Sequence, residues 1–260
     1  MPVDPLEDEE WHKPTICPGW TVKDIVLHLL GDDVGRLSRN RDAFDDSILM
    51  NTYHTLSSWN ELVAYINERN ELWVQATRRM SNRLVRTFLS LTGEETYQYF
   101  SSLDLYALGE PVSWAGPDPA PVWLDIAREY TERWVHQQQI RDAVEKPGLK
   151  DRHFFAQVLE TFVRALPHTF REIRATDGIL IHLVISGEAG DEWYLQREEK
   201  RWILGKSSIS PADTTVVLDQ ESAWRLFTKG MSKDEAFQRA TINGNEILAR
   251  KVFDTVSIIA

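Results

Sequence analysis

Residues 125–143, DIAREYTERWVHQQQIRDA, decide how this chain is read. Their periodicity is that of a helix: Trp123, Ala127, Tyr130 and Trp134 make one apolar stripe, while Asp125, Arg128, Glu129, Glu132, His136 and Gln139 fall on the other side. That polar stripe is either bathed in water or lines a cleft. Within it Glu132 and His136 stand four residues apart, one above the other on one helix face. A carboxylate and an imidazole so placed can share a metal ion, but a stable site with an open position wants a third ligand. His28, in the helix-like stretch DIVLHLL, is the candidate. Spacing alone does not separate a metal pair from a solvated pair or a helix salt link, because His12, His28 and His168 also have an Asp or Glu four residues away.

Toward the N-terminus, CPGWTVKDIVLHLLGDDVGRLSRNRDAF opens with a turn and continues as a helix. Thr21 is placed to cap it, with Asp24 three residues on as a near capping box and Trp20 and Ile25 as a hydrophobic staple. Val22, Ile25, Val26, Leu29 and Leu37 form its apolar stripe, with His28 at the edge near Asp32. Asp24 can orient the His28 ring or simply cap the helix. Ser57 or Ser58 can cap a second helical segment running from about Trp59 into residues 78–88, with a break near Met80 and Ser81. Thr92 and Gly93 punctuate the chain before a short helical piece, EETYQYFSSLDLYAL. The proline-rich GEPVSWAGPDPAP that follows is a loop, in which Trp114 lines a pocket or serves as an anchor.

Beyond the deciding stretch, EKPG is a stop signal, and Phe154 to Ile173 reads as a helix that Pro167 ends or kinks. After Asp177 the pattern changes. GILIHLVIS alternates as a strand, with His182 on the face opposite Ile181 and Leu183 and read as structural; EWYLQ, RWILG and TTVVLD are further strands. Helices are expected around Ala223 to Phe227 and in DEAFQRA and NEILARKVFDTV. The fold class is therefore α+β: a helical domain over residues 1–165 and a smaller α/β domain over 166–260, the boundary falling in the region of 150–175.

Composition narrows the partners. At 260 residues the chain is long enough for one large domain or two of ordinary size, and 42% hydrophobic content is sufficient for a real core. A net charge of −11 disfavours tracking of nucleic-acid phosphates and binding to anionic membrane surfaces. The acidic start MPVDPLEDEEW does not read as a secretory signal, and no apolar run approaches the ~18 residues of a membrane span. Cys17 is the only cysteine, which fits a cytoplasmic setting, rules out a multi-thiolate zinc site, and leaves His and carboxylate ligands for any metal. Packing in the CPGW turn is the reading preferred for it over a reactive thiol.

Three stretches resemble the mycothiol-dependent maleylpyruvate isomerase family: PTICPGWTVKDIVLHLL, VSWAGP and ERWVHQQQIRDA. The resemblance implies a DinB-like four-helix bundle with His28, Glu132 and His136 as metal ligands. TTVVLD, the helix at Trp224, FTKG and INGNEILARKV resemble the family's sterol-carrier-like C-terminal domain. Two departures stand out. Gln139 precedes Ile140 where the family often has an Asp, so any role of that acid is expected to be absent, and Asn245 follows Gly244 where an Asp is common.

Two imidazoles and a carboxylate suit zinc with one open position, and the same set can hold iron(II); the resemblance favours zinc. It also implies a low-molecular-weight thiol, mycothiol or similar, as cosubstrate, used either to isomerise a small electrophilic substrate or to be transferred onto it. Arg36, Arg128 and Arg133 are candidates for binding an acidic substrate, with surface salt links as the competing reading. No catalytic residue is assigned. The alternative is a non-catalytic protein that binds a metal or an apolar ligand. Ten tryptophans serve two cores or an interface equally well, so the oligomeric state is left open.

Overall fold

The structure, a computed structural model, describes residues 6–45 and 58–258. Helix α1 (Val22–Arg36) begins where its start signal stands: Asp24 N donates to the Thr21 hydroxyl, and the Thr21 N–H donates to the Asp24 carboxylate at 2.9 Å. Arg78 also grips that carboxylate, through Nε at 2.8 Å and Nη2 at 3.2 Å. Asp24 thus serves the start of α1 and its tie to Arg78. The helix runs directly into a π-helical turn, Leu37–Arg41.

Helix α2 (Trp59–Thr77) is capped by Ser58, and α3 (Asn82–Ser101) by Ser81. Ser57, the other candidate cap, lies outside the described residues. The chain breaks between the two helices as expected, but the expected punctuation at Thr92 and Gly93 does not occur. Helix α3 runs straight through them and stops at Ser101, so the later part of the piece expected to be helical is turn. A glycine inside a helix costs about 1 kcal/mol against alanine. Tertiary packing offsets this, because Val85 is fully buried and the Thr92 hydroxyl donates to Asp33 on α1 at 2.8 Å.

Helix α4 (Val122–Ala143) contains the deciding stretch and ends at the EKPG signal, with Glu145 in the left-handed region at φ 58°. The chain divides into two compact units, and α4 contributes to each. One comprises the described residues up to Asp104 together with Val135–Gly148; the other comprises Leu105–Trp134 and the chain from Leu149 onward. In the first unit, Trp11, Ile25, Val26, Val74, Val85 and Ile140 are buried in one core. Each comes from an apolar stripe or turn that has no other way to leave water.

The second unit holds α5 (Arg152–Phe162), capped by Asp151, then a 3-10 turn (Val163–Ala165) and a single helical turn containing Pro167 (Leu166–Thr169). Trp114 is buried with Val112, Ala120 and Leu124, so it anchors its loop. The five strands are β1 (Leu180–Ser186), β2 (Asp191–Glu198), β3 (Arg201–Gly205), β4 (Thr214–Asp219) and β5 (Thr241–Gly244). They lie in the order β3-β2-β1-β4-β5 in one mixed sheet, β1 and β4 being parallel and the other neighbours antiparallel. Helices α6 (Gln220–Phe227), α7 (Lys233–Arg239) and α8 (Glu246–Val252) follow β4. Ile181, Leu183 and Ile185 are buried as their alternation requires. His182, on the opposite face, stacks on Tyr194 with centroids 4.4 Å apart and meets Glu192 at 2.7 Å, a structural role.

Strand β5 was not anticipated from the sequence. TING is short and mostly polar, so it shows no alternation and becomes a strand only by pairing with β4. Gly244 makes that possible: at φ 98° a side chain is strained, and a Cβ there would sit 2.1 Å from Asp213 O. Among the described residues, no helix is long and apolar enough to cross a membrane.

Candidate metal centre

His28 enters the centre because α1 is amphipathic and its capping box fixes where the helix begins. The ring lies at the edge of the apolar stripe and is buried. On α4, Glu132 and His136 project from one face; of the polar stripe around them, Glu129 and His136 are buried and the other members are half-buried. The stripe is therefore partly, not wholly, removed from water.

His28, Glu132 and His136 each offer one ligand atom, and these atoms all lie within 4.8 Å of one another. The two imidazoles meet edge to face, with centroids 4.8 Å apart and planes at 79°. Among the described residues this is the grouping of three or more His, Cys, Asp or Glu side chains that could hold a metal; His12 and His168 do not take part. The donor set fits a divalent ion: two imidazoles and one carboxylate converge on one point from two helices.

Neighbouring groups hold the rings. Asp32 Oδ2 lies 3.4 Å from His28 Nε2. Trp20 stands over His28 with centroids 5.3 Å apart, and its own Nε1 donates to Glu71 at 2.7 Å. That hydrogen bond, with a second from Gln75, holds the Glu71 carboxyl below its ordinary range. His136 Nδ1 is 2.7 Å from Gln139 Oε1, and the Cys17 thiol donates to the same oxygen at 3.3 Å. At position 139, where the family often has an Asp, the amide oxygen of Gln139 meets His136. Cys17 does pack beside the core, as read, but it also reaches this amide. The sequence carried no signal for that contact, since the two residues lie on segments remote from each other.

The three candidate arginines are engaged nearby. Arg128 pairs with Asp125 and Glu129, both at 2.8 Å; Arg133 approaches Glu129 at 3.9 Å; Arg36 bonds Asn40 at 3.5 Å. These are the local links of helix surfaces.

Fold and donor set together define an α+β protein with a candidate two-histidine, one-carboxylate metal centre. A sequence profile described as mycothiol maleylpyruvate isomerase N-terminal domain matches residues 2–141, more than half of the chain. The chain belongs to that family. Among solved structures it is similar to a mycothiol-dependent maleylpyruvate isomerase at 9% identity, covering 85% of this chain and 79% of that one, with a TM-score of 0.47. Its C-terminal part is similar to Sterol Carrier Protein 2 Like 2 from Aedes aegypti at 14% identity, covering 38% of this chain and 95% of that one, TM-score 0.31. A third likeness is Sterol Carrier Protein 2 from Yarrowia lipolytica in its apo form, at 15% identity over 52% of this chain and 87% of that one, TM-score 0.26. No curated protein matches the sequence.

Proposed function

We propose that the protein is a metal-dependent, thiol-using enzyme in which His28, Glu132 and His136 hold a divalent ion, zinc in preference to iron(II). The convergence of those three ligand atoms within 4.8 Å is the observation that carries the reading. Membership of the family supplies the cosubstrate class, a low-molecular-weight thiol such as mycothiol. When bound, such an ion is a Lewis acid that lowers a thiol's pKa from about 8.5 and makes the thiolate the main form at neutral pH. The chain's own residues do the rest. The two imidazoles and the carboxylate set the geometry, and burial of the histidines limits competing water. The reaction is isomerisation of, or S-transfer to, a small electrophilic substrate in a cytoplasmic setting, without nucleic-acid or membrane partners. The reading takes residues 1–165 as the metal-binding domain and 166–260 as the sterol-carrier-like domain.

Elemental analysis of protein purified without a histidine tag or added metal tests the site, with His28→Ala and Glu132→Ala as comparators. Near-stoichiometric zinc in the wild type, lost in both variants, is expected. The zinc-loaded protein should then accelerate consumption of a thiol in the presence of activated alkenes. An absence of metal in the wild type, even after zinc is supplied, overturns the catalytic reading in favour of a non-catalytic binding protein.

A further inference from the structure

The geometry points to Gln139 and Cys17 as a pair of positioning residues that select the tautomer of His136, and so decide which of its ring nitrogens can serve as a ligand. The inference rests on the metal reading of the site and concerns residues that reading leaves without a role.

Gln139 lies less than one turn beyond His136 on α4, and its Oε1 is 2.7 Å from His136 Nδ1. An amide oxygen can only accept, so Nδ1 carries the ring proton and Nε2 has the lone pair that a metal needs. The arrangement has a weakness that a carboxylate would not. A carboxylate presents an acceptor whichever way it turns, whereas an amide has two unlike ends. Turned by half a rotation, Gln139 would offer its NH2 group to Nδ1. The ring proton would then sit on Nε2, and the nitrogen facing away from Gln139 would lose its lone pair.

Cys17 supplies the discrimination. Its thiol donates to the same Oε1 at 3.3 Å, so the oxygen meets two donors at once; after rotation, the NH2 group would meet only the sulfur, a weak acceptor. The thiol is held in place to do this. Cys17 N donates to Thr15 Oγ1 at 3.2 Å, and Trp20 N donates to Cys17 O at 3.0 Å, closing the turn that leads into α1. A contact with an outer ring nitrogen of this kind typically changes metal affinity by roughly 10–100-fold.

The test reads the tautomer directly in metal-free protein, by long-range nitrogen–proton NMR of the imidazoles at a pH where they are neutral. Wild type should show His136 with the proton on Nδ1. Gln139→Leu should move the population toward Nε2–H; Gln139→Glu, which restores an acceptor at both ends, should keep it on Nδ1. Cys17→Ala should give a mixture. Zinc affinity by chelator competition should fall roughly 10–100-fold in Gln139→Leu and less in Cys17→Ala. An unchanged His136 tautomer in Gln139→Leu overturns the inference, and one unchanged in Cys17→Ala overturns the part assigned to the thiol. If the tautomers shift as expected but wild type binds no zinc, the metal reading fails while the positioning of His136 stands.

Discussion

The imidazoles of His28 and His136 stand edge to face with centroids 4.8 Å apart, one ring brought by α1 and the other by α4. Each ring touches a different kind of acceptor: His28 meets the Asp32 carboxylate at a long 3.4 Å, and His136 meets the Gln139 amide at 2.7 Å. The long contact is the weaker constraint. Zinc titration should therefore rank the variants: His28→Ala and His136→Ala lose stoichiometric binding, whereas Asp32→Asn weakens it by no more than about tenfold. Equal losses in Asp32→Asn and His28→Ala would make Asp32 a ligand in its own right.

Gly31 sets how closely α2 can approach α1. A Cβ there would lie 2.7 Å from the Trp73 indole, whose Nε1 donates to Leu27 O at 2.8 Å. Gly31→Ala gains about 1 kcal/mol of helix propensity but forces the indole away, an overpacking cost of about 1–3 kcal/mol plus the strained hydrogen bond. The clash should win, lowering the denaturation midpoint. Gly93 is the control: it sits inside α3, and an added methyl group would meet nothing within 4 Å, so Gly93→Ala should stabilise by about 0.5–1 kcal/mol.

Acid should loosen the start of α1. Burial raises the Asp24 carboxyl's pKa, but Arg78 and Thr21 more than offset this and hold it below the ordinary aspartate value. A depressed folded pKa means that the stabilisation is complete above the unfolded value, about 3.9, and is lost as pH falls through the folded one. Asp24→Asn should cost about 1–2 kcal/mol at neutral pH, through the lost ion pair and a weakened cap. In urea unfolding measured over a pH series, wild type and variant should converge below the ordinary aspartate range. A gap that stays constant with pH would show that the charge contributes nothing.

Trp134 is fully buried in the second unit, stacked on Phe155 with centroids 4.7 Å apart and planes at 13°, and edge-on to Trp224 at 5.4 Å. Its Nε1 donates to Leu149 O at 2.8 Å. Trp134→Ala should cost about 3–5 kcal/mol, and Trp134→Phe, which keeps the stack but leaves that carbonyl without its donor, about 1–3 kcal/mol. Calorimetry distinguishes the two, and equal losses would show that packing and hydrogen bond do not contribute separately.

Local signals in the chain were strong wherever one segment answered the question alone. Thr21 with Asp24 marks the start of α1, Ser58 was one of two candidate caps for α2, the break near Met80 and Ser81 separates α2 from α3, and the alternation through Ile181, Leu183 and Ile185 marks β1 with its buried face. The failures came where a weak local signal was overruled. Gly93 looks like punctuation, yet α3 continues through it because its neighbours pack on α1; TING looks like a loop, yet it pairs with β4.

The sequence by itself determined the helix that carries Glu132 and His136, and the chemistry of their side chains, because a four-residue separation on one helix is a local property. His28 was named as the candidate third ligand, but its spacing alone did not single it out. His12, His28 and His168 all have an acid at the same spacing, and only the packing of α1 against its neighbours brings His28 to the pair. Tertiary structure likewise buried Glu129 and His136 within the polar stripe of α4 and brought Cys17 to Gln139. Contacts between remote segments depend on the sum of many small packing energies, and no single stretch of sequence contains that sum.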